Sequence, residues 1–175
     1  MKYLFASLSL ALALISCVHD AKFNQININN KYAIQLPDYM QPATELHTDA
    51  SLQYKNEEKD IYTIVIDENK NEMKNYNLKY SLDTYFKAVA SQPFVEAIEH
   101  SKMTAPVKKQ INGSSAMVAE ITGDINENPV YYKLAVIETT NSFYQILTWT
   151  SAGNKESFSK DIDQTIDSFK ELVSS

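Results

Sequence analysis

The sequence predicts an α+β domain in which an antiparallel β-sheet is flanked by helices. Three observations carry this. The second half of the chain is a series of alternating apolar segments joined by short turns rich in Asn. One earlier segment, IYTIVIDE (Ile61 to Glu68), is apolar on both faces. Two further segments repeat their apolar residues at helical spacing.

Taken in order, FNQINI offers Phe23, Ile26 and Ile28 as an imperfect apolar face, and Asn29-Asn30 supplies a turn. KYAIQLP sets Tyr32, Ile34 and Leu36 on one face and stops at Pro37, so the pair reads as a hairpin. DYMQPATEL reads as irregular chain or a single helical turn. ASLQYKN (Ala50 to Asn56) is a short strand, and EEKD is a charged turn. In IYTIVIDE, Tyr62, Ile64 and Ile66 oppose Ile61, Thr63 and Val65. A strand apolar on both sides is central, with a layer packed on each. NKNEMKNYNLKY reads as a helical turn or loop. SLDTYFKAVASQPF is helical, with Ser81 as N-cap and Leu82, Tyr85, Phe86 and Val89 forming a stripe. Pro93 disfavours continuation, although VEAIEH is compatible with another turn.

A meander of four strands follows: APVKKQI, SSAMVAEITGDI, VYYKLAVIE and FYQILTWT. Asn112-Gly113 is the strongest two-residue hairpin signal in the chain. Asn126 to Asn128 makes the next turn. Pro129 opens the third strand, where a missing donor is tolerated. Last, Phe158, Ile162, Ile166, Phe169 and Val173 lie on one helical stripe, with Asn154 as a reasonable N-cap. No linker, repeat or low-complexity block divides residues 23–175, which read as one domain.

The chain has 175 residues and a formal charge of −6, and all 16 of its basic residues are Lys. Nucleic-acid affinity comes mostly from neutralising phosphates, and Arg is the residue suited to reading phosphate in pairs of hydrogen bonds. An acidic, Arg-free chain is therefore a poor nucleic-acid binder and a poor candidate for electrostatic docking on anionic lipid.

Residues 1–16, MKYLFASLSLALALIS, carry one positive charge at Lys2 and then an apolar run from Leu4 to Ile15. A spanning helix needs about 20 apolar residues. The run is too short for that and fits a secretory signal peptide. It ends in Leu14-Ile15-Ser16-Cys17, which resembles the bacterial lipobox. The resemblance implies that the Cys17 thiol receives a diacylglyceryl group and that cleavage follows Ser16. Thiolate nucleophilicity is why this chemistry needs cysteine. Two acyl chains anchor a protein stably where one does not. Residues 17–22 would then be a lipidated cysteine and a short tether, and the domain would face the periplasm or the cell surface. The choice of inner or outer membrane stays open. With its one cysteine modified, the chain has no thiol for a disulfide.

Four patches, YAIQLPDYM, YTIVIDENK, FYQILTWT and SFKEL, together resemble the PsbP-like domains, over roughly Phe23 to Val173. That resemblance implies an α-β-α sandwich around an antiparallel sheet. Members share this fold more than an activity, so it implies no function. The charged contacts and proposed metal sites of the photosynthetic members have no matching motif here.

No motif for a catalytic, cofactor or metal site emerges. His19 falls in the tether. His47 lies near Glu45 and Asp49, and His100 follows Glu96 by four residues, a neighbour on a helix. Either group is short of the ligands of a structural zinc site. The acidic runs Glu57, Glu58, Asp60 and Asp67, Glu68, Glu72 lack the Gly of a calcium loop and read as solvated turns. There is no nucleophile elbow and no Gly-rich phosphate loop. Tyr54, Tyr62, Tyr131, Tyr132, Tyr144 and Trp149, all on predicted strands, are the candidate ligand or partner surface, with a sheet core as the competing reading. Tyr131 and Tyr132 are adjacent and must point to opposite faces, which offers one of them for exposure.

These readings converge on a membrane-anchored, non-enzymatic binding or assembly module of the envelope. A small-ligand or lipid-handling protein is the first alternative and would need an apolar pocket. An envelope hydrolase is the second and would need a histidine beside a nucleophile in a cleft.

Overall fold

The computed structural model describes residues 21–172. The signal-like segment, Cys17, His19 and Val173 of the last apolar stripe lie outside the described residues. The chain runs β1 (Phe23–Ile28), β2 (Tyr32–Pro37), β3 (Gln41–Pro42), β4 (Leu52–Asn56) and β5 (Ile61–Asn69). Three helices follow, α1 (Lys70–Asn75), α2 (Leu82–Ala90) and α3 (Pro93–Glu96). Then come β6 (Glu99–Met103), β7 (Val107–Ile111), β8 (Ser114–Ile125), β9 (Asn128–Glu138) and β10 (Ser142–Ser151). A 3-10 turn, α4 (Lys155–Asp167) and β11 (Lys170–Glu171) complete it.

The main sheet has the order β3-β4-β5-β10-β9-β8-β6, with β7 also pairing β8, and every pairing in it is antiparallel. β1, β2 and β11 form a separate three-stranded sheet. The sequence predicts a single sheet. The division arises because β2 is buried nearly throughout and packs flat on the main sheet instead of joining it.

Both faces of β5 are covered, as its two apolar faces require. On one side Ile61 and Val65 meet the small sheet through Tyr32, Ile34 and Leu36, α4 through Ile162 and Ile166, and Phe169, which follows the end of α4 instead of continuing its stripe. On the other side Ile64 and Ile66 share a core with Leu82, Tyr85, Phe86 and Val89 of α2. The predicted stripe of α2 is thus its buried face. Ser81 caps it in a reciprocal pair with Thr84. The result is an α-β-α sandwich.

The turns follow their side chains. Asn112 (φ 46°) and Gly113 (φ 89°) close the β7–β8 hairpin, and Asn126 (φ 50°) and Glu127 (φ 65°) close β8–β9. Left-handed backbone suits Asn and Gly and strains Glu.

Three local readings are corrected. The helix after Pro93 ends at Glu96, so Glu96 and His100 are not helical neighbours. His100 instead sits in β6 at φ 51°, and its ring pairs with Asp124 at 3.2 Å. Asn154 makes no side-chain cap to α4; its amide reaches the Lys59 carbonyl at 3.4 Å. Gln41–Pro42 is a two-residue edge strand, not a helical turn.

β6 and β7 run end to end along the same side of β8, broken at residues 104–106, where the Thr104 backbone and hydroxyl both bond Glu120. The break, Pro106 and the lysines at 102, 108 and 109 protect this exposed edge from pairing with another chain.

Candidate functional site

On the α2 side of the main sheet, α2 packs over β8 and β9. Toward β5 and β10 a cavity of about 170 Å3 remains. Its floor is made by strand residues that point the same way by alternation: Ile64 and Ile66 of β5, Gln145, Leu147 and Trp149 of β10, and Tyr132 and Leu134 of β9. Leu46 and His47, from the segment between β3 and β4, form the facing wall.

One end of the cavity is an aromatic row. Trp149 is directly opposite Tyr62 on β5 and Tyr132 on β9. Its ring stacks on both, with centroids 5.2 Å from Tyr62 and 5.7 Å from Tyr132. Stacked cross-strand aromatics of this kind are worth roughly 0.5–1.5 kcal/mol per pair beyond burial. Tyr62 and Trp149 remain half-buried, which leaves aromatic surface in reach of a partner.

The wall is held by one side chain. The Gln53 Oε1 accepts from the backbone N–H groups of Leu46 (2.7 Å) and His47 (3.0 Å), and its Nε2 donates to the His47 carbonyl (2.9 Å). His47 Nδ1 accepts from the Asp49 N–H at 3.1 Å. A neutral ring that accepts at Nδ1 carries its proton on Nε2.

The other end is polar. Gln145 is buried, and its Nε2 donates to the Tyr85 hydroxyl at 2.8 Å. That hydroxyl donates to Glu68 Oε2 at 2.7 Å. Burial, and then the adjacent Glu68 carboxylate, push the Tyr85 hydroxyl well above the ordinary phenol range, so it holds its proton.

A larger, polar cleft of about 560 Å3 opens elsewhere, lined by Lys31, Asp67, Glu72, Tyr144 and Glu171 among others. Its charges are largely engaged: Asp67 with Lys31 at 2.8 Å, and Glu171 with Thr139 at 2.7 Å and Tyr144 at 3.2 Å. Among the described residues no three metal-ligating side chains come together.

The six predicted aromatics divide evenly between the two sheet faces. Tyr62, Tyr132 and Trp149 form the row beside the cavity. Tyr54, Tyr131 and Tyr144 belong to the α4 side. Tyr131 (0% exposed) and Tyr144 (2%) are core residues there and leave the candidate surface. Tyr132 is also buried, so neither member of the Tyr131–Tyr132 pair is exposed. Both faces of β9 are covered at that point, one by α4 and its neighbours, the other by Trp149. From sequence His47 stands out only through its neighbours Glu45 and Asp49, and Gln145 and Leu46 are not among the candidates. The signal for Gln145 is present, as a polar residue interrupting the apolar face of FYQILTWT; the wall has none, because it depends on Gln53 from another element.

No family model and no curated protein matches the chain by sequence. Solved structures do match in shape. The cyanobacterial PsbP (CyanoP) of Synechocystis superposes with a TM-score of 0.63 at 11% identity, covering 91% of this chain and 98% of that one. The fold is PsbP-like. LpqN, a Mycobacterium tuberculosis protein involved in cell envelope biogenesis, gives 0.59 at 8% identity over 88% of this chain and 92% of its own. A Bacteroides thetaiotaomicron protein gives 0.56 at 10% identity, covering 80% of this chain but 44% of that one. At these identities a PsbP-like fold is what is shared, and activity is not carried with it.

Proposed function

We propose that this chain is a membrane-anchored, non-enzymatic binding module of the cell envelope, and that it binds through the cavity face. The observation that carries this is the apolar cavity flanked by the half-buried Tyr62–Trp149 stack. Amphipathic aromatics beside a concavity are typical of ligand and partner sites. The lipobox-like Leu14–Cys17 supports the anchor, and the PsbP-like fold shared with an envelope-biogenesis protein is consistent with the compartment. No helix among the described residues is long and apolar enough to cross a membrane.

The tether also bears on orientation. The Lys22 carbonyl accepts from Asp38, and the adjoining Tyr39 packs against Phe158 and bonds Asn56 through its carbonyl. These contacts put the start of the domain at the end of the sheet where Tyr62 and Trp149 lie. The few residues from Cys17 to Lys22 span at most about 20 Å. An anchored domain would therefore hold this end close to the bilayer.

The hydrolase alternative turns on the histidines. His47 bonds backbone, and His100 pairs with Asp124 on an exposed edge. Neither is hydrogen-bonded to a hydroxyl nucleophile among the described residues. The small-ligand reading is favoured by the cavity itself and shares the same face.

The test uses the lipidated protein isolated from its own membranes and weighed intact by native mass spectrometry. A fatty-acyl mass is expected that disappears in Cys17→Ala. A bound partner or ligand mass is expected that is lost in Trp149→Ala. An unacylated wild type sinks the anchor, and a bare acylated monomer in both wild type and Trp149→Ala sinks the binding face.

A further inference from the structure

The cavity has a direction. Tyr85 has one hydroxyl proton, and it is given to Glu68. The same oxygen can then only accept from Gln145, so the Gln145 nitrogen must face Tyr85. The amide orientation is settled by this network and not by the amide's own shape. Gln145 Oε1 is consequently turned away from Tyr85, and Gln145 is one of the residues lining the cavity. Among the described residues nothing donates to that oxygen. A fixed acceptor therefore stands at the polar end of a mostly apolar chamber, with His47 in its facing wall.

Size limits the occupant. A cavity of about 170 Å3 is close to the roughly 150 Å3 apolar chamber known to take benzene. No Lys, Asp or Glu lines it, and burying an unpaired charge is costly. We infer that the cavity binds a small, uncharged, ring-sized apolar molecule bearing one hydroxyl, which donates to Gln145 Oε1 while the ring lies over Ile64, Leu134 and Leu147. Glu68 and Tyr85 are positioning residues that hold the amide. This rests on the reading of the cavity face as the binding face.

Phenol and toluene, equal in shape and differing in the donor, are the probes. Binding to the full mature protein is followed by NMR, through the methyl signals of Ile64, Leu134 and Leu147 and the indole of Trp149, the single tryptophan. One hydrogen bond should make phenol bind about five-fold more tightly than toluene. Gln145→Leu, which keeps the side-chain volume, should abolish or reverse that preference. Tyr85→Phe, which frees the amide to turn, should reduce it. Equal affinity for the two probes in the wild type overturns the inference. So does a preference that survives in Gln145→Leu, or shifts that miss the cavity methyls. If the probes fail while the native mass experiment still shows a species lost in Trp149→Ala, the ligand class is wrong and the binding face stands.

Discussion

Above about pH 10 the protein should unfold cooperatively and with a steep dependence on pH. Four tyrosines, Tyr32, Tyr85, Tyr131 and Tyr144, are at most 3% exposed. In each, burial is the leading cause that pushes the hydroxyl far above its ordinary range. A phenol with a raised folded pKa binds its proton more tightly in the native state. The stability it contributes is whole below the unfolded phenol value and is lost as pH climbs from there toward the folded value. Each such group costs about 1.4 kcal/mol per pH unit in that window, and four together roughly 5 kcal/mol. A domain stable by about 5–15 kcal/mol has little reserve against that. Phenolate absorbance should therefore rise in two stages, the second coinciding with loss of the far-ultraviolet circular dichroism signal. Tyr144→Phe should make the fall in stability with pH shallower, by about 1.4 kcal/mol per pH unit. A slope unchanged by that substitution, or native-state ionisation of all the tyrosines, would show that these phenols are not buried as described.

The second large effect is expected at Gly123, on β8. A Cβ there would lie 2.4 Å from the Ile98 side chain, 2.6 Å from the Glu99 carbonyl oxygen and 3.1 Å from the Ser101 Cα. Two of these three contacts are backbone and cannot swing aside. The register of β6 on β8 shifts between Glu99 and Lys102, and His100 takes its left-handed backbone there. Gly123 lets this bulge sit against the sheet. Gly123→Ala should cost about 2–3 kcal/mol, measured by urea denaturation. It should also speed hydrogen exchange in residues 99–103 before the rest of the sheet. Wild-type stability with unaltered exchange would contradict the close approach.

β5, the β7–β8 turn and β6 differ in how far the sequence reveals them. IYTIVIDE is legible because alternation and two apolar faces leave a single place for it, in the middle of a covered sheet. Asn112-Gly113 is legible because two consecutive left-handed residues admit few side chains. β6, EHSKM, has no apolar face to find; its register comes from a bulge and a glycine on another strand. The candidate site is partly legible for a related reason. Tyr62, Tyr132 and Trp149 lie on recognisable strands, but their meeting depends on the pairing β5-β10-β9, which alternation alone does not give. Tyr131 and Tyr144 have the same local pattern and differ only in which face the helix and small sheet cover. The orientation of Gln145 depends on Tyr85 and Glu68, 60 and 77 residues away along the chain.

The proposal that binding occurs through the cavity face is tested most directly by photocrosslinking in native membranes. A benzophenone-bearing residue replaces Tyr62 in one lipidated variant and Gln25, exposed on β1 of the opposite layer, in another. Discrete adducts from position 62, lost when Trp149→Ala is added, with none from position 25, are the expected result. Adducts from position 25 alone, or from position 62 regardless of Trp149, would contradict it.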